Sequence, residues 1–246
     1  MSNPRRRLVL TTAMVLLVLS ATAPAMAAGP IDAGLYTTYS FYNGFVNVDW
    51  VVCGQTHGWY GCYSSGRLGP FGNVGALMEG NPSTTGNMVT RALYLVDVGT
   101  GSGVDTIKLY IYKKVDTIAP PNDSVTITLT KTVQLPLVGG TGASCFMAAN
   151  SGFLFIGTNQ SPQAVSVKKG NFAVTQLSGG AVGVNVSSIT ADKYGDVTVT
   201  QGNGVGNPPV FAFAVFGPNG ALEEDGGGAS YLLNTITGLS TSTLPQ

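Results

Sequence analysis

The rare reactive side chains of this chain gather in one ten-residue stretch, Cys53-Gly54-Gln55-Thr56-His57-Gly58-Trp59-Tyr60-Gly61-Cys62. It holds two of the three cysteines, the only histidine and one of the two tryptophans. Three chemistries are open to such a set. Cys53, His57 and Cys62 could ligate zinc in an irregular loop, with a fourth ligand or water completing the tetrahedron. His57 could serve a nucleophile as a base. The two thiols could also join as a disulfide.

Register decides among them. Read as a hairpin with His57-Gly58 as its two-residue loop, the stretch pairs Thr56 with Trp59, Gln55 with Tyr60 and Cys53 with Cys62. Counting outward, Cys53/Cys62 falls on a non-hydrogen-bonded pair, where side chains approach most closely. A bridge there closes a loop of about ten residues and stabilises the fold by ~2.5–3 kcal/mol in the chain-entropy model. The same count carries His57 four residues, roughly 13 Å, along the strand from Cys53. A Cys53–Cys62 disulfide is therefore the expectation, with no metal and no cofactor, and Cys145 as a small buried hydrophobe.

Other catalytic sets are poorly supported. No nucleophile motif such as G-x-S-x-G accompanies His57. A glycosidase needs two carboxylates flanking a bond, and Asp49, Glu79, Asp97, Asp192 and Asp196 are available without a distinguishing spacing. Asp192-Lys193-Tyr194-Gly195-Asp196 reads most simply as a turn. Glu223-Glu224-Asp225-Gly lacks the alternating ligands of a calcium loop and reads as a solvated turn. Asn122-Asp-Ser, Asn159-Gln-Ser and Asn185-Val-Ser match the glycosylation sequon, which matters only in a eukaryotic secretory route.

The aromatic residues carry the remaining functional signal. Trp50, Trp59, Tyr60 and Tyr63 cluster about the hairpin, and strand alternation puts Trp59 and Tyr63 on one face and Tyr60, opposite Gln55, on the other. Aromatic faces beside amides stack on sugar rings, so Trp50, Gln55, Trp59, Tyr60 and Tyr63 form the candidate ligand platform. Core packing is the competing use of the same residues.

The address is written at the start of the chain. Arg5-Arg6-Arg7, an apolar run from Leu8 to about Leu19 and the small residues Ala25-Met26-Ala27 have the layout of a cleavable secretory signal, predicting a leader over 1–27 and a single all-β domain over 28–246. The style of the signal is bacterial, and the expected location is secreted or periplasmic. No later segment has the ~20 uninterrupted apolar residues of a spanning helix, so no stable membrane span is expected after cleavage.

Charge narrows the partners. The chain carries 12 basic and 12 acidic residues. Three of the basic ones lie in the leader, which leaves nine against twelve, a net charge of about −3 that does not suit nucleic acid. Charged residues make up 10% of the chain, well under the usual ~25%, so solubility rests on hydroxyls and amides.

The elements that must position these groups are short strands. Asn43-Gly44 between apolar runs is a hairpin signal. Arg91–Val98, Thr106–Tyr112 and Val125–Val133 read as strands by their β-branched and aromatic content, joined by loops at Gly99–Gly103 and Ala119–Asp123. A hairpin recurs at Val52–Tyr63, Ser144–Gly157 and Ser187–Thr200, each followed by a second strand pair, at Ala92–Tyr112, Ala164–Leu177 and Phe211–Glu223. The turn glycines Gly58, Gly152 and Gly195 lie 94 and then 43 residues apart, near one or two lengths of a ~40–45-residue propeller blade. The expected fold is all-β and propeller-like with four or five blades, a β-sandwich being the alternative. The expected function is that of a noncatalytic exported protein binding a carbohydrate or another surface ligand. The alternatives are a self-associating structural or adhesive protein and a glycosidase-like hydrolase.

Overall fold

The computed structural model describes residues 35–54, 58–101, 106–117, 119, 124–161, 163–177, 185–202 and 211–227. The leader, Gln55 and His57 lie outside the described residues, as do the side chains of Cys53, Trp59, Tyr60, Cys62 and Tyr63. The disulfide expected there and, Trp50 apart, the expected aromatic platform lie outside the described residues. The described residues form sixteen strands and no helix, an all-β chain built of antiparallel sheets.

Sheet A contains β1 (Leu35–Tyr42), β2 (Phe45–Gly54) and β3 (Gly58–Leu68), in that order. Asn43 and Gly44 join β1 to β2 with φ of 47° and 76°. Positive φ at both central residues is what a type I′ hairpin turn requires and what Asn-Gly supplies at low cost. Only three residues separate β2 from β3, so this pair is antiparallel as well.

Sheet B contains β4 (Val74–Glu79), β5 (Ser83–Thr85), β6 (Met88–Asp97), β7 (Thr106–Thr117) and β8 (Ser124–Val138). Its order is β4-β6-β7-β8, with β5 paired to β6. Sheet C runs β9 (Cys145–Ala149), β10 (Phe153–Thr158), β11 (Val165–Lys168) and β12 (Val174–Gln176), and sheet D runs β13 (Val186–Ala191), β14 (Val197–Gly202), β15 (Phe211–Phe216) and β16 (Leu222–Gly227). Both are meanders in which each strand pairs with its sequence neighbour. The hairpins expected at Ser144–Gly157 and Ser187–Thr200 are β9/β10 and β13/β14, and the strand pairs expected after them are β11/β12 and β15/β16. The first expected unit is not a single sheet: Val52–Tyr63 falls in β2 and β3 of sheet A, and Ala92–Tyr112 in β6 and β7 of sheet B, whose strand β4 lies beside β9. Glu223-Glu224-Asp225, expected as a solvated turn, lies in β16, where Glu224 pairs with Val215 and Asp225 with Ala214.

The chain divides into two compact units. In the smaller, the described residues are the lengths of β1, β2 and β3 at 35–38, 49–54 and 58–64, where Thr38 Oγ1 donates to Asp49 O at 3.3 Å.

The larger unit, holding 39–48 and everything from Ser65 onward, is built by strand alternation. One face of sheet B presents Tyr94, Val96, Leu109 and Ile111 to Leu154, Ile156, Val165 and Val167 of sheet C. The opposite face presents Leu93, Leu95 and Tyr112 to Val46 and Phe71. β8 serves both faces through a bulge: Leu129 pairs with Tyr112 and Lys131 with Ile111, so Thr130 is an extra residue. The parity flip sends Ile127 to one face and Leu135 to the other.

Sheet C is buried on both faces. Leu154 and Ile156 turn toward sheet B, while Phe155 packs on Val186, Val197, Ala214 and Phe216 of sheet D. An uninterrupted apolar run such as Phe153-Leu-Phe-Ile156 is the sequence form of a doubly covered strand. The first strands lie side by side, β9 between β4 and β13. Glycine permits this approach, since a Cβ on Gly75 would lie 2.7 Å from Cys145 Cβ and one on Gly157 would lie 2.9 Å from Val186 Cγ1.

Candidate functional site

Where the first strands of sheets B, C and D end, they leave a cleft of about 320 Å³. Glu79 and Asn81 enter it from the end of β4, Ser151 from the β9–β10 turn, Lys169 from the β11–β12 turn, and Lys193 and Tyr194 from the β13–β14 turn.

Asn150 organises this end of the sheets. Its Oδ1 accepts the backbone N–H groups of Gly152 at 3.1 Å and Phe153 at 2.9 Å, closing its own turn. Its Nδ2 donates to Gly195 O at 2.9 Å in the β13–β14 turn and to Pro218 O at 3.4 Å in the β15–β16 turn. One buried amide thus joins three turns and has its capacity met. Its backbone oxygen also accepts Lys169 Nζ at 2.5 Å.

Asp192 shapes the neighbouring turn. Its Oδ1 accepts the N–H groups of Tyr194 at 2.8 Å and Asp196 at 2.9 Å, an Asx-type closure. Gly195 completes the reversal at φ 92°. The result is a rigid tip on which Tyr194 is 72% exposed, with Lys193 Nζ 4.9 Å from its ring centre. Tyr194 is thus a large aromatic side chain held in water at the rim of the cleft rather than packed in the core.

Behind Glu79 lies a buried charge cluster. Arg91 and Lys114 sit directly opposite each other on β6 and β7, an unfavourable like-charge pair, and two carboxylates compensate. Lys114 Nζ donates to Glu79 Oε1 at 2.7 Å and lies 3.4 Å from Asp116 Oδ2, while Arg91 donates to Asp116 Oδ2 at 2.6 Å and lies 3.6 Å from Glu79 Oε2. Tyr39 OH donates to Glu79 Oε1 at 2.5 Å. The side chains of Lys114 and Asp116 are 1% and 2% exposed.

The two acids respond oppositely to this setting. Burial pushes both upward; at Glu79 the hydrogen bonds from Lys114 and Tyr39, with the charges of Lys114 and Arg91, win and hold the carboxyl below its ordinary value. At Asp116 burial prevails over Lys114 and Arg91, and the value is raised. Asp116 Oδ1 has no hydrogen-bond partner, which accords with that sign. Burial likewise lifts the Cys145 thiol to about 12; the side chain, expected to be buried, is partly buried against the core between sheets B and C.

Three of the five carboxylates considered for hydrolysis are engaged in structure. Asp97 takes Asn73 N and Gly99 N on Oδ1 and Gly72 N on Oδ2, at 2.8–3.0 Å. Asp192 closes its turn and Glu79 belongs to the charge cluster. Of the aromatic residues expected at a ligand platform, Trp50 is only 8% exposed, a buried side chain with little surface to offer a ligand. Tyr194, Lys169, Lys193 and Asn81 carry no functional signal in the sequence. The turn Asp192–Asp196 is legible there, and its one cue is an aromatic residue in the middle of a polar reversal. No protein-family model matches the chain, and no curated protein matches it.

Proposed function

We propose that this is an exported, noncatalytic binding protein of propeller-like construction whose ligand is a carbohydrate held in the cleft at the ends of β4, β9 and β13. The observation that carries the reading is Tyr194, presented to solvent on a closed turn at the rim of that cleft. A sugar offers an apolar C–H face to an aromatic ring and hydroxyls to amide, hydroxyl and charged groups; Asn81, Ser151 and the lysines supply those. The leader-like start supports export. Three successive sheets, each built on a four-stranded path and with their first strands lying together, support the radial arrangement over a two-sheet sandwich. Isothermal titration against a panel of oligosaccharides tests the binding: Tyr194→Ala is expected to weaken it at least tenfold, and the absence of any glycan binding by the wild type would refute the reading.

Self-association is the second reading, and β8 favours it. This fifteen-residue strand forms an edge of sheet B, and long edges template pairing with another chain. Light scattering that shows growth with concentration, abolished by Thr128→Pro, would establish it.

A further inference from the structure

The charges around the cleft are unequal in how far they are already used. Glu79 has both carboxylate oxygens committed to the cluster behind it, with Oε1 taken by Lys114 and Tyr39 and Oε2 facing Arg91. Asp192 has Oδ1 occupied by two backbone N–H groups. The two lysines are different. Among the described residues neither Lys169 nor Lys193 meets a carboxylate within ion-pair distance. Lys169 is half-buried and its ammonium is bonded to one carbonyl, Asn150 O. Burial has lowered its affinity for the proton, the mark of a cation that has lost water without gaining a counter-ion.

We infer that the ligand is an acidic sugar, carrying a carboxylate or sulfate that Lys169 and Lys193 neutralise while Tyr194 stacks on the ring. The inference rests on the carbohydrate reading above and narrows it. An anionic group entering a cleft lined by two lysines that have no carboxylate partner gains charge-assisted hydrogen bonds from them, stronger than neutral ones, and the lower local dielectric reduces screening. Neutral sugars gain only the stacking and the amide contacts. The carboxylate of Asp192, turned into its own loop, opposes the anion less than a free one would.

The test uses the full mature chain and matched oligosaccharides, neutral oligogalactose against oligogalacturonate, titrated calorimetrically at low and at raised salt. The acidic oligomer should bind at least tenfold tighter at low salt, with the preference shrinking as salt screens it. Lys193→Gln, an exposed change that leaves folding intact, should bring the acid-to-neutral ratio toward one. Lys169→Gln should do the same, and Lys169→Arg should restore most of it. Free sulfate and monomeric galacturonate, run as competitors, separate a sugar site from a bare anion site; sulfate displacing the oligomer as well as the acid monomer would overturn the assignment. Equal affinity for both oligomers, or a preference untouched by either glutamine variant, would overturn the acidic specificity while leaving the carbohydrate reading standing. Binding of neither oligomer would remove both.

Discussion

Two groups of charges meet at Glu79 and differ in almost every physical respect. Behind it, the buried Lys114 and Asp116 and the partly exposed Arg91 are paired, and sum with Glu79 to neutrality. In front, Lys169, Lys193 and Asp192 sit on turns at the cleft without ion pairs among the described residues, beside an exposed tyrosine. The difference separates two uses of charge. Paired, dry charges specify how strands register and cannot turn toward a ligand without leaving a partner uncompensated. Charges without an ion-pair partner add little to stability and remain available to a ligand.

The sharpest way to break this contrast is to remove one member of the buried set. Lys114→Met removes the buried cation of the set, leaving Glu79 and Asp116 with Arg91 alone, and is expected to cost about 3–5 kcal/mol, read as a drop in the denaturation midpoint; a loss under about 1 kcal/mol would mean the cluster does not constrain the fold. Next in size is Asn150→Ala. It strips the N–H groups of Gly152 and Phe153 and the carbonyls of Gly195 and Pro218 of their partner, for an expected loss of about 2–3 kcal/mol, together with weaker ligand binding because the turns it joins carry the cleft. On the other side of the comparison, Tyr194→Ala should leave stability within about 0.5 kcal/mol while costing tenfold or more in affinity, about 1.4 kcal/mol. Stability falling with affinity would show that the turn packs rather than binds.

The smallest expected effect is on pH dependence. Glu79, held below its ordinary value, adds stability that is present above that value and lost as the pH falls through its folded one; Asp116, held above its ordinary value, acts with the opposite sign, its contribution declining as pH rises toward the folded value. In Glu79→Gln the loss of stability on acidification should therefore be shallower than in wild type, as measured by denaturation at a series of pH values between about 3 and 6. A steeper loss would reverse the assignment.

How much of this is legible in the sequence depends on the range of the interaction. Asn43-Gly44 announces its turn because the φ values it needs are a local property of those two residues. The β9–β12 and β13–β16 meanders are legible from their recurring hairpins, since each strand pairs with its sequence neighbour. The strand order of sheet B is not, because β5 is inserted beside β6 and β8 is long enough to need a bulge. The charge cluster is invisible: Glu79, Arg91, Lys114 and Asp116 come from three strands, and only register places them together. The cleft is hidden for a related reason, being assembled from turns that each look ordinary alone. Aromatic content points instead to the stretch around Trp50, a residue whose burial shows how readily a strand tryptophan serves packing.

Chemical-shift mapping of the isotopically labelled chain from residue 28 onward during titration with oligogalacturonate compares the two aromatic regions in one experiment. If the cleft is the binding site, shifts gather at Asn81, Ser151, Lys169, Lys193 and Tyr194, with residues 58–63 unmoved. Shifts concentrated at Trp59, Tyr60 and Tyr63 with the cleft silent would contradict it.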